Sequence, residues 1–415
     1  MCGIAGIISA SGEREPESGA RGAGLREALA RMVKYLDHRG PDDRGLSVLS
    51  PKGCEVGLGH TRLSILDLST AGHQPMSDPR TGNQITYNGE VYNFRELRGA
   101  LGEGPDAWRS QSDTEVILRA YQRDGRECLE NLRGMFAFGL WDAGRRKLLL
   151  ARDRLGIKPL YYYAGRGFFL FASEVKALLE SGLVPRRLDR LGLWHYLAYQ
   201  SVPAPRTLVE GVRALEPGSW MTVDERGERE AGCYWNMLSR GTAEARDAAP
   251  AESRRRVREL LHEAVALNLV SDVPVGAFLS GGLDSSAVVA LMREAGAAPR
   301  TFTVGFAESG YDEASQARRT AAHFQTVHTE IRLTQERLLE QLPEALAVMD
   351  QPTGDGLNTY VVARAVREQG IKVALSGLGG DEFFAGYPSF TRLKRMMRYG
   401  RWWGGTPLAL RSLAA

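Results

Sequence analysis

The second residue of the chain, Cys2, is followed by the small and apolar run GIAGIIS. Removal of Met1 would place the Cys2 thiol beside a free α-amino group, whose ordinary pKa is about 7.7–8.0. Such an amine can act as a general base for the thiol, directly or through a water molecule, and a thiolate attacks amide carbonyls well. Cys2 is therefore a candidate nucleophile, although one cysteine alone is weak support for an enzyme.

A second candidate site is the segment GAFLSGGLDSS, which places Ser280, Gly281 and Gly282 in a turn between a predicted strand and a predicted helix. Backbone N–H groups at such a turn and the helix dipole bind anions, and phosphate is the natural ligand. Asp284 would repel phosphate unless a cation intervenes, so Mg²⁺ is implied. The Gly-Lys-Ser/Thr ending of a Walker loop is absent. A glycine turn that serves only tight packing is the alternative.

The elements around Cys2 are predicted to be mostly strands. Short apolar or alternating runs bounded by turn residues are GIAGIIS, EVGLGHTRLSIL, NQITYNGEVY, GMFAFGLWD, KLLLARD and GFFLFAS. Helical spacing of apolar residues occurs over residues 24–36 and 114–124. Runs of strands with few helices between them predict packed antiparallel sheets in an α+β domain.

A polar, alanine-rich stretch over residues 237–254 is predicted to be a linker, and the pattern changes after it. The strand-like runs GAFLS, TFTVGF, VHTEIRL and KVALS alternate with helical runs over residues 285–294, 314–323, 336–349 and 358–368. This alternation predicts an α/β domain with a doubly wound parallel sheet, in which ligands bind beyond the carboxyl ends of the strands.

Length and composition restrict the class of protein. A chain of 415 residues with 43% hydrophobic residues is long enough for two globular domains, and it contains no apolar run long enough to span a membrane. A net charge of +3 argues against nucleic acid as a partner. Four scattered cysteines and no signal peptide indicate a cytoplasmic protein. The basic stretch RLKRMMRYGRWWGG is interpreted as a solvated helical face, with a membrane-surface helix as the alternative.

The segment SGGLDSS resembles the pyrophosphate loop of ATP pyrophosphatases, which cleave ATP to AMP and pyrophosphate. The resemblance implies ATP contacts from Phe278, Ser280, Gly281, Gly282, Asp284 and Ser285, from Val304 in TFTVGF, and from Ser376 and Gly377 in a second glycine-rich turn, SGLGGDEFF. It also implies that Asp381 joins Asp284 in binding Mg²⁺. ATP and Mg²⁺ are thus the expected cofactors, with no tightly bound organic cofactor.

The N-terminal half resembles class II glutamine amidotransferases, whose nucleophile is an N-terminal cysteine. Beside Cys2, the matching segments are DHRGPDD at 37–43, HTRLSILD at 60–67, YNGEVYN at 87–93 and SDTEV at 112–116. The resemblance implies a glutamine site made of Arg62, Leu63, Ser64, Ile65, Leu66, Asn88, Gly89, Glu90 and Asp113.

Each polar group of that predicted site suits one part of glutamine. The Arg62 guanidinium fits the α-carboxylate, and the carboxylates of Glu90 and Asp113 would neutralise the α-ammonium. The Asn88 amide and the Gly89 N–H, at a predicted turn, would stabilise the oxyanion of the tetrahedral intermediate. The alternatives are that Asn-Gly marks a hairpin turn and that Arg62 forms a surface ion pair.

Together the two halves resemble the glutamine-hydrolysing asparagine synthetases. The resemblance implies a glutamine amidotransferase domain over residues 2–215, a connection and linker over 216–254, and an ATP pyrophosphatase domain over 255–415. It implies hydrolysis of glutamine and transfer of ammonia to an acyl-adenylate, first of all that of aspartate. The expected partners are these small molecules, with no nucleic acid and no membrane, and a homodimer is left open.

Two departures from the family pattern are visible. Asparagine-forming members usually carry SGEGADE or a similar sequence in the second loop, whereas here the position of the Glu is Leu378. The family also normally continues into further helices beyond the equivalent of residue 415. The alternatives are therefore amidation of another carboxylate in polysaccharide or natural-product biosynthesis, or an inactive fragment.

Rival classes share only one of the two halves. A phosphoribosyl-type amidotransferase would have Cys2 but not SGGLDSS. A β-lactam synthetase or peptide cyclase would have the ATP loop but would not need intact Cys2, Arg62 and Asn88. A non-enzymatic partner-binding remnant is the third alternative.

Overall fold

The computed structural model describes residues 1–9, 21–51, 54–239, 249–306 and 314–405. The chain forms two compact units that interleave along the sequence. The first contains Met1–Arg258, Val270–Val273 and Glu336–Arg364, and the second contains Glu259–Leu269, Pro274–Gln335 and Ala365–Ala415. Two segments from beyond the predicted linker thus pack with the N-terminal unit.

The first unit contains two six-stranded antiparallel sheets, with strand orders β10-β8-β9-β1-β3-β2 and β12-β11-β7-β6-β5-β4. The strands are β1 Gly3–Ser9, β2 Asp43–Leu49, β3 Glu55–Arg62, β4 Met76–Ser77, β5 Gln84–Val91, β6 Gly134–Asp142, β7 Lys147–Arg152, β8 Tyr161–Gly165, β9 Phe168–Ala172, β10 Val212–Ala214, β11 Ser219–Asp224 and β12 Arg229–Cys233. The α+β arrangement predicted for this half is confirmed.

A shared apolar core joins the two sheets, because alternate strand residues of both point inward. Ile4 and Phe171 from one sheet and Trp141 and Leu150 from the other are fully buried in one cluster. Helices α1 Arg21–Tyr35 and α4 Val175–Glu180 cover the outer face of the first sheet, and α2 Phe94–Ala100 and α3 Asp113–Asp124 cover the second. A further helix, α5, spans Arg190–Tyr199. The result is a four-layered unit that buries both faces of each sheet.

The second unit is built on a parallel sheet with the order β15-β14-β13-β16. Its strands are β13 Val275–Phe278, β14 Arg300–Phe306, β15 Val327–Leu333 and β16 Val373–Leu375. The helices from residue 249 onward are α6 Pro250–Asn268, α7 Leu283–Glu294, α8 Ala314–His323, α9 Gln335–Val348, α10 Gly356–Arg367, α11 Gly380–Phe384 and α12 Pro388–Gly405. Most of α9 and α10 lies in Glu336–Arg364 and therefore belongs to the first unit. Both glycine-rich turns, around Gly281 and Gly377, follow the carboxyl ends of neighbouring strands, β13 and β16. The α/β class predicted for this half is also confirmed.

Three local predictions differ from the structure. Helix α6 begins at Pro250, inside the predicted linker, while residues 240–248 of that linker lie outside the described residues. The helices α2, α4 and α5 were not predicted. Helices α2 and α4 have too few residues for a clear helical period, and α5 carries apolar residues at most of its positions, so it shows no polar face. Asn88 and Gly89 lie inside β5, so the hairpin-turn alternative, and the turn assumed for Gly89, are wrong.

The described helices include none that is both long and apolar enough to cross a membrane. The basic stretch near the end of the chain forms part of α12. The side chains of residues 391–400 are exposed, and those of residues 401–405 lie outside the description.

Candidate functional site

Cys2 immediately precedes β1, the central strand that pairs with both β3 and β9. The antiparallel register brings it to the end of β3, where Leu63 N–H donates to the Cys2 Sγ over 3.4 Å. Burial raises the pKa of the Cys2 thiol, and the Leu63 N–H and the chain's terminal amino group oppose that rise. The thiol is therefore held by backbone and depends on a nearby base for its deprotonation.

Gly89 lies in β5 at a position with no room for a side chain. A Cβ at this position would lie 2.7 Å from the Cα of Phe136 on the adjacent β6. Phe136 uses its own N–H and C=O to bond Asp153, on the side of β6 away from β5. Because directly opposed residues of an antiparallel pair bond in alternation, the N–H of Gly89 faces away from β6.

The residues two positions before and after Gly89 show what that outer edge of β5 binds. Tyr87 N–H donates to the Gln74 side chain at 2.8 Å, and Val91 N–H donates to the Asp113 carboxylate at 2.9 Å. The Gly89 N–H lies between these two donors and has no bond to another described residue. It is an available donor on a strand edge where its neighbours are satisfied.

Two side chains of the same strand carry buried polar atoms with no partner among the described residues. These atoms are Nδ2 of Asn88, a donor, and Oε2 of Glu90, an acceptor. Unpaired buried polar atoms cost roughly 1–3 kcal/mol each, so a pair of them on one strand suggests a ligand that supplies both partners. Glu90 is also close enough to Cys2 to raise the pKa of its thiol.

Glu90 and Asp113 form a pair of buried carboxylates. Desolvation is the main cause that raises the pKa of both groups, and the Asp113 charge raises the pKa of Glu90 further. Asp113 is fixed by the Tyr87 hydroxyl at 2.6 Å and by the Val91 N–H. A cationic ligand group such as an α-ammonium would relieve the repulsion between the two carboxylates.

Glu90→Gln tests this assignment, because it should weaken the binding of glutamine without lowering the stability of the fold. Loss of one charge-assisted contact of about 1.5–3 kcal/mol should raise the KM for glutamine roughly 10- to 100-fold. The melting temperature should not fall, because the folded state raises the pKa of Glu90 and so disfavours its charge at neutral pH. Glu96→Gln, on the exposed face of α2, is the control. A lower melting temperature with an unchanged KM would show that Glu90 is structural.

Arg62 lies at the end of β3 and is buried, which excludes the surface ion pair. Its two terminal nitrogens donate to the backbone carbonyls of Ser69, at 3.0 Å, Leu66, at 3.1 Å, and Asp67. Three of its five N–H donors therefore shape the loop that contains the predicted glutamine-binding residues Leu63, Ser64, Ile65 and Leu66. The predicted contact with the α-carboxylate would have to use the remaining donors.

Three charged residues near Cys2 had received no role from the sequence. Arg39 donates from Nε to the carbonyl of Cys2 at 2.9 Å, and from Nη1 to the buried Glu174 at 2.8 Å. Lys158 is buried within electrostatic range of Glu90 and Cys2, and burial lowers the pKa of its ammonium. Arg39 lies in the matching segment DHRGPDD, which was the available signal for it. The bond between Arg39 and Glu174 joins residues 135 positions apart, which sequence spacing does not reveal.

In the second unit, Ser280, Gly281 and Gly282 form the turn between β13 and α7, as predicted. The Ser285 hydroxyl is buried in this turn, where it accepts from Ser280 N–H at 3.1 Å and bonds the Ser280 hydroxyl at 2.9 Å. Ser285 therefore holds the loop in shape. Gly282 stands at the N-cap of α7, a helix of 12 residues whose positive end faces the turn.

The second glycine-rich loop packs against the first at Asp284. A Cβ added to Gly380 would lie 2.5 Å from the Asp284 carboxyl carbon, and one added to Gly377 would lie 2.7 Å from the Ser285 backbone nitrogen. Asp381 follows Gly380 at the start of α11. The pKa of the Tyr387 hydroxyl is raised, mainly by its hydrogen bond to Glu382, and the charges of Asp381 and Asp284 raise it further. Mg²⁺ is usually bound by one or two carboxylates, while water and phosphate oxygens fill its remaining coordination positions. Asp284 and Asp381 fit this pattern.

The remaining predicted ATP residues surround the same strand ends. Phe278 ends β13, and Val304 lies in the adjacent β14, whose Phe302 carbonyl accepts from Leu279 N–H at 2.8 Å. The Ser376 hydroxyl accepts from Leu378 N–H at 3.2 Å, and the Leu378 side chain is 84% exposed. Leu378 is thus a loop residue and does not belong to a described apolar core.

Comparison with known protein families finds one match for each half of the chain. Residues 1–235 match the family described as glutamine amidotransferase domain, and residues 256–415 match the family described as asparagine synthase. A protein of Methanocaldococcus jannaschii, provisionally named as a second glutamine-hydrolysing asparagine synthetase, is 35% identical over 95% of this chain and 77% of its own.

Two further relatives carry different names. Asparagine synthetase (glutamine-hydrolysing) 1 of Bacillus subtilis is 36% identical, and the amidase chyE of Penicillium rubens is 35% identical. Both alignments cover more than nine-tenths of this chain, which spans 59% and 60% of the length of these two relatives. With two matched regions in this order and a relative aligned over most of both chains, the protein belongs to the glutamine-hydrolysing asparagine synthetase family.

Proposed function

We propose that the protein is a glutamine-dependent amidotransferase that hydrolyses glutamine at Cys2 and transfers the ammonia to an acyl-adenylate. The observation that carries the glutaminase part is the set of unpartnered groups on β5. The Gly89 N–H and Asn88 Nδ2 are donors for an oxyanion, and Glu90 Oε2 is an acceptor for an α-ammonium. One substrate, glutamine, has a partner for each of them.

In the proposed glutaminase reaction, the Cys2 thiol gives its proton to the α-amino group that removal of Met1 exposes. The sulfur then attacks the side-chain amide carbon of glutamine, and the resulting oxyanion is bound by Asn88 Nδ2 and the Gly89 N–H. The proton passes to the leaving nitrogen, which departs as ammonia and leaves a thioester. Water then cleaves the thioester, which yields glutamate and restores the thiol.

In the proposed synthetase reaction, an oxygen of the acceptor carboxylate attacks the α-phosphorus of ATP and pyrophosphate leaves. Ser280, Gly281 and Gly282 would bind the phosphates, and Asp284 and Asp381 would hold Mg²⁺, which neutralises phosphate charge when bound. Ammonia then attacks the acyl carbon of the adenylate, AMP departs with the shared oxygen, and an amide remains. Exclusion of water protects the adenylate from hydrolysis.

We take aspartate as the first candidate acceptor, because the synthetases in the family are named for asparagine. A different carboxylate is the second candidate, supported by the amidase among the relatives and by Leu378 in the second loop. Leu can neither accept a proton nor pair with a cation.

The four free cysteines of the chain support a cytoplasmic location.

The proposed function is tested by the coincidence of three products. The protein is incubated with glutamine, ATP, Mg²⁺ and either aspartate or other carboxylates, and glutamate, AMP and pyrophosphate are measured. We expect all three to form in equal amounts when the correct acceptor is present. ADP and phosphate in place of AMP and pyrophosphate would contradict the proposal.

The acceptor is tested by ATP–pyrophosphate exchange in the native protein and in Leu378→Glu. If aspartate is the acceptor, the native protein should exchange with aspartate and the substitution should have little effect. If Leu378 instead lines a binding site for a different acceptor, aspartate should support no exchange, and a less polar carboxylic acid should support it. Leu339→Glu, which places the same charge at an exposed leucine outside both glycine-rich loops, is the control.

A further inference from the structure

Two short segments that fall within the asparagine synthase match are bonded into the first compact unit. One is Val270–Val273, which leads directly to β13, and the other lies in Glu336–Arg364. Each contributes an aspartate that accepts backbone N–H donors of the glutaminase fold. These aspartates, Asp272 and Asp350, had received no role from the sequence.

Asp272 holds the loop that follows β3. Its carboxylate accepts from Asp67 N–H at 2.7 Å, and its own N–H donates to the Ile65 carbonyl at 3.0 Å. Both anchor points lie in the loop that follows β3, and this loop begins at Leu63, whose N–H contacts the Cys2 sulfur. Asp272 therefore fixes the stretch of backbone that was predicted to bind glutamine.

Asp350 holds the first turn of α4. Its two carboxylate oxygens accept from Val175 N–H and Lys176 N–H, each at 2.9 Å. Burial raises the pKa of Asp350 to about 6, so the carboxylate is still ionised at neutral pH. Two hydrogen bonds to a charged group are stronger than neutral ones, and they set the position of the helix start.

The residue before α4 connects this helix to the nucleophile. Glu174 accepts at Oε1 from both His38, at 2.9 Å, and Arg39, at 2.8 Å, while its Oε2 is buried without a partner in the described structure. Arg39 in turn donates to the Cys2 carbonyl at 2.9 Å. A continuous series of bonds thus runs from Asp350 to the backbone of Cys2.

We propose that Asp272 and Asp350 are positioning residues for glutamine hydrolysis, supplied to the glutaminase site by the synthetase part of the chain. Asp272 positions the substrate loop, and Asp350 positions the backbone of the nucleophile through Glu174 and Arg39. The inference rests on the proposed glutaminase function of Cys2. It makes glutamine hydrolysis depend on segments that adjoin the ATP-binding strand and the start of α10.

The two aspartates should affect different kinetic constants of glutamine hydrolysis. Asp272→Ala should raise the KM for glutamine roughly tenfold and leave kcat within about twofold, because it loosens only the substrate loop. Asp350→Ala should lower kcat roughly tenfold and leave KM within about twofold, because small displacements of a nucleophile slow its reaction strongly. Asp350→Asn keeps one acceptor oxygen, so its kcat should lie between those of Asp350→Ala and the native protein. If Asp350→Ala does not fold, Asp350→Asn is measured in its place.

Neighbouring residues provide matched controls. Gln351 accepts from Leu208 N–H and donates to the Tyr161 hydroxyl, so Gln351→Ala loosens the same segment without touching the series that ends at Cys2. Ser271 accepts from the N–H of Val273, two positions along the chain, at 3.1 Å, and Ser271→Ala is the control for Asp272→Ala. Both control variants should keep native KM and kcat.

A double variant tests whether Asp350 acts through Glu174. If the bonds act as one series, Glu174→Gln should lower kcat as Asp350→Ala does, and the combined variant should lose little more than either single one. Fully additive losses, native kinetics in both aspartate variants, or an equal loss in Gln351→Ala would overturn the proposal.

Alkylation of Cys2 by iodoacetamide, followed residue by residue with mass spectrometry, separates this inference from the proposed function. If the native protein hydrolyses no glutamine, the proposed function fails, and the alkylation rates still report the position of the thiol. Asp350→Ala should then change the rate at Cys2 severalfold and leave the rate at the exposed Cys233 unchanged. An unchanged rate at Cys2 in that variant would reject the positioning role of Asp350.

Discussion

Cys2→Ala should abolish glutamate release from glutamine, by on the order of 10⁴-fold or more, because no other described side chain at the site offers a thiolate. Synthesis driven by added ammonia should continue at the native rate, since the proposed adenylation residues are not altered. Glutaminase turnover and ammonia-dependent AMP formation measured on the same preparation check both expectations.

An uncleaved N-terminal tag should have the same effect as Cys2→Ala, because it removes the free α-amino group that we assign as the base. Cys233→Ala, an exposed cysteine, is the matched control and should retain full activity. Glutaminase activity that persists in Cys2→Ala or in the tagged protein would refute the assignment of the nucleophile.

Asp284→Ala should reduce the formation of AMP and pyrophosphate roughly 10²- to 10³-fold, as expected when charge stabilisation at a transferred phosphoryl group is lost. The carboxylate lies where the two glycine-rich loops meet, and Gly380 packs closely against it. Asp381→Ala should have a comparable effect, because both carboxylates are proposed to hold the same Mg²⁺. Pyrophosphate release and glutaminase turnover are measured in parallel.

Basal glutaminase turnover should change much less than pyrophosphate release in both variants. Glu294→Ala, at the other end of α7, controls for the loss of an acidic side chain on the same helix. Direct binding of Mg²⁺–ATP, followed by calorimetry, distinguishes lost binding from lost chemistry. Native pyrophosphate release in both aspartate variants would show that this loop is not the phosphate site.

The strand and helix pattern of this protein could be predicted largely from its sequence. Apolar runs such as GMFAFGLWD, the whole of β6, end at turn residues, and the helix over Ala314–His323 follows from its spacing alone. These patterns are local, because each reflects which faces of a single element are buried. Helix α6, Pro250–Asn268, was not predicted at all, because its first half is polar and charged and looks like a continuation of the linker.

The types of most candidate site residues also came from sequence, but their arrangement did not. The position of Gly89 inside β5, the unpartnered atoms of Asn88 and Glu90, and the use of Arg62 to shape its own loop all follow from strand pairing. The bonds of Asp272 and Asp350 join residues separated by more than 170 positions. Sequence specifies which chemistry each segment can perform, whereas only the packed chain decides which donors are left free for a substrate, because neighbours in space compete for them.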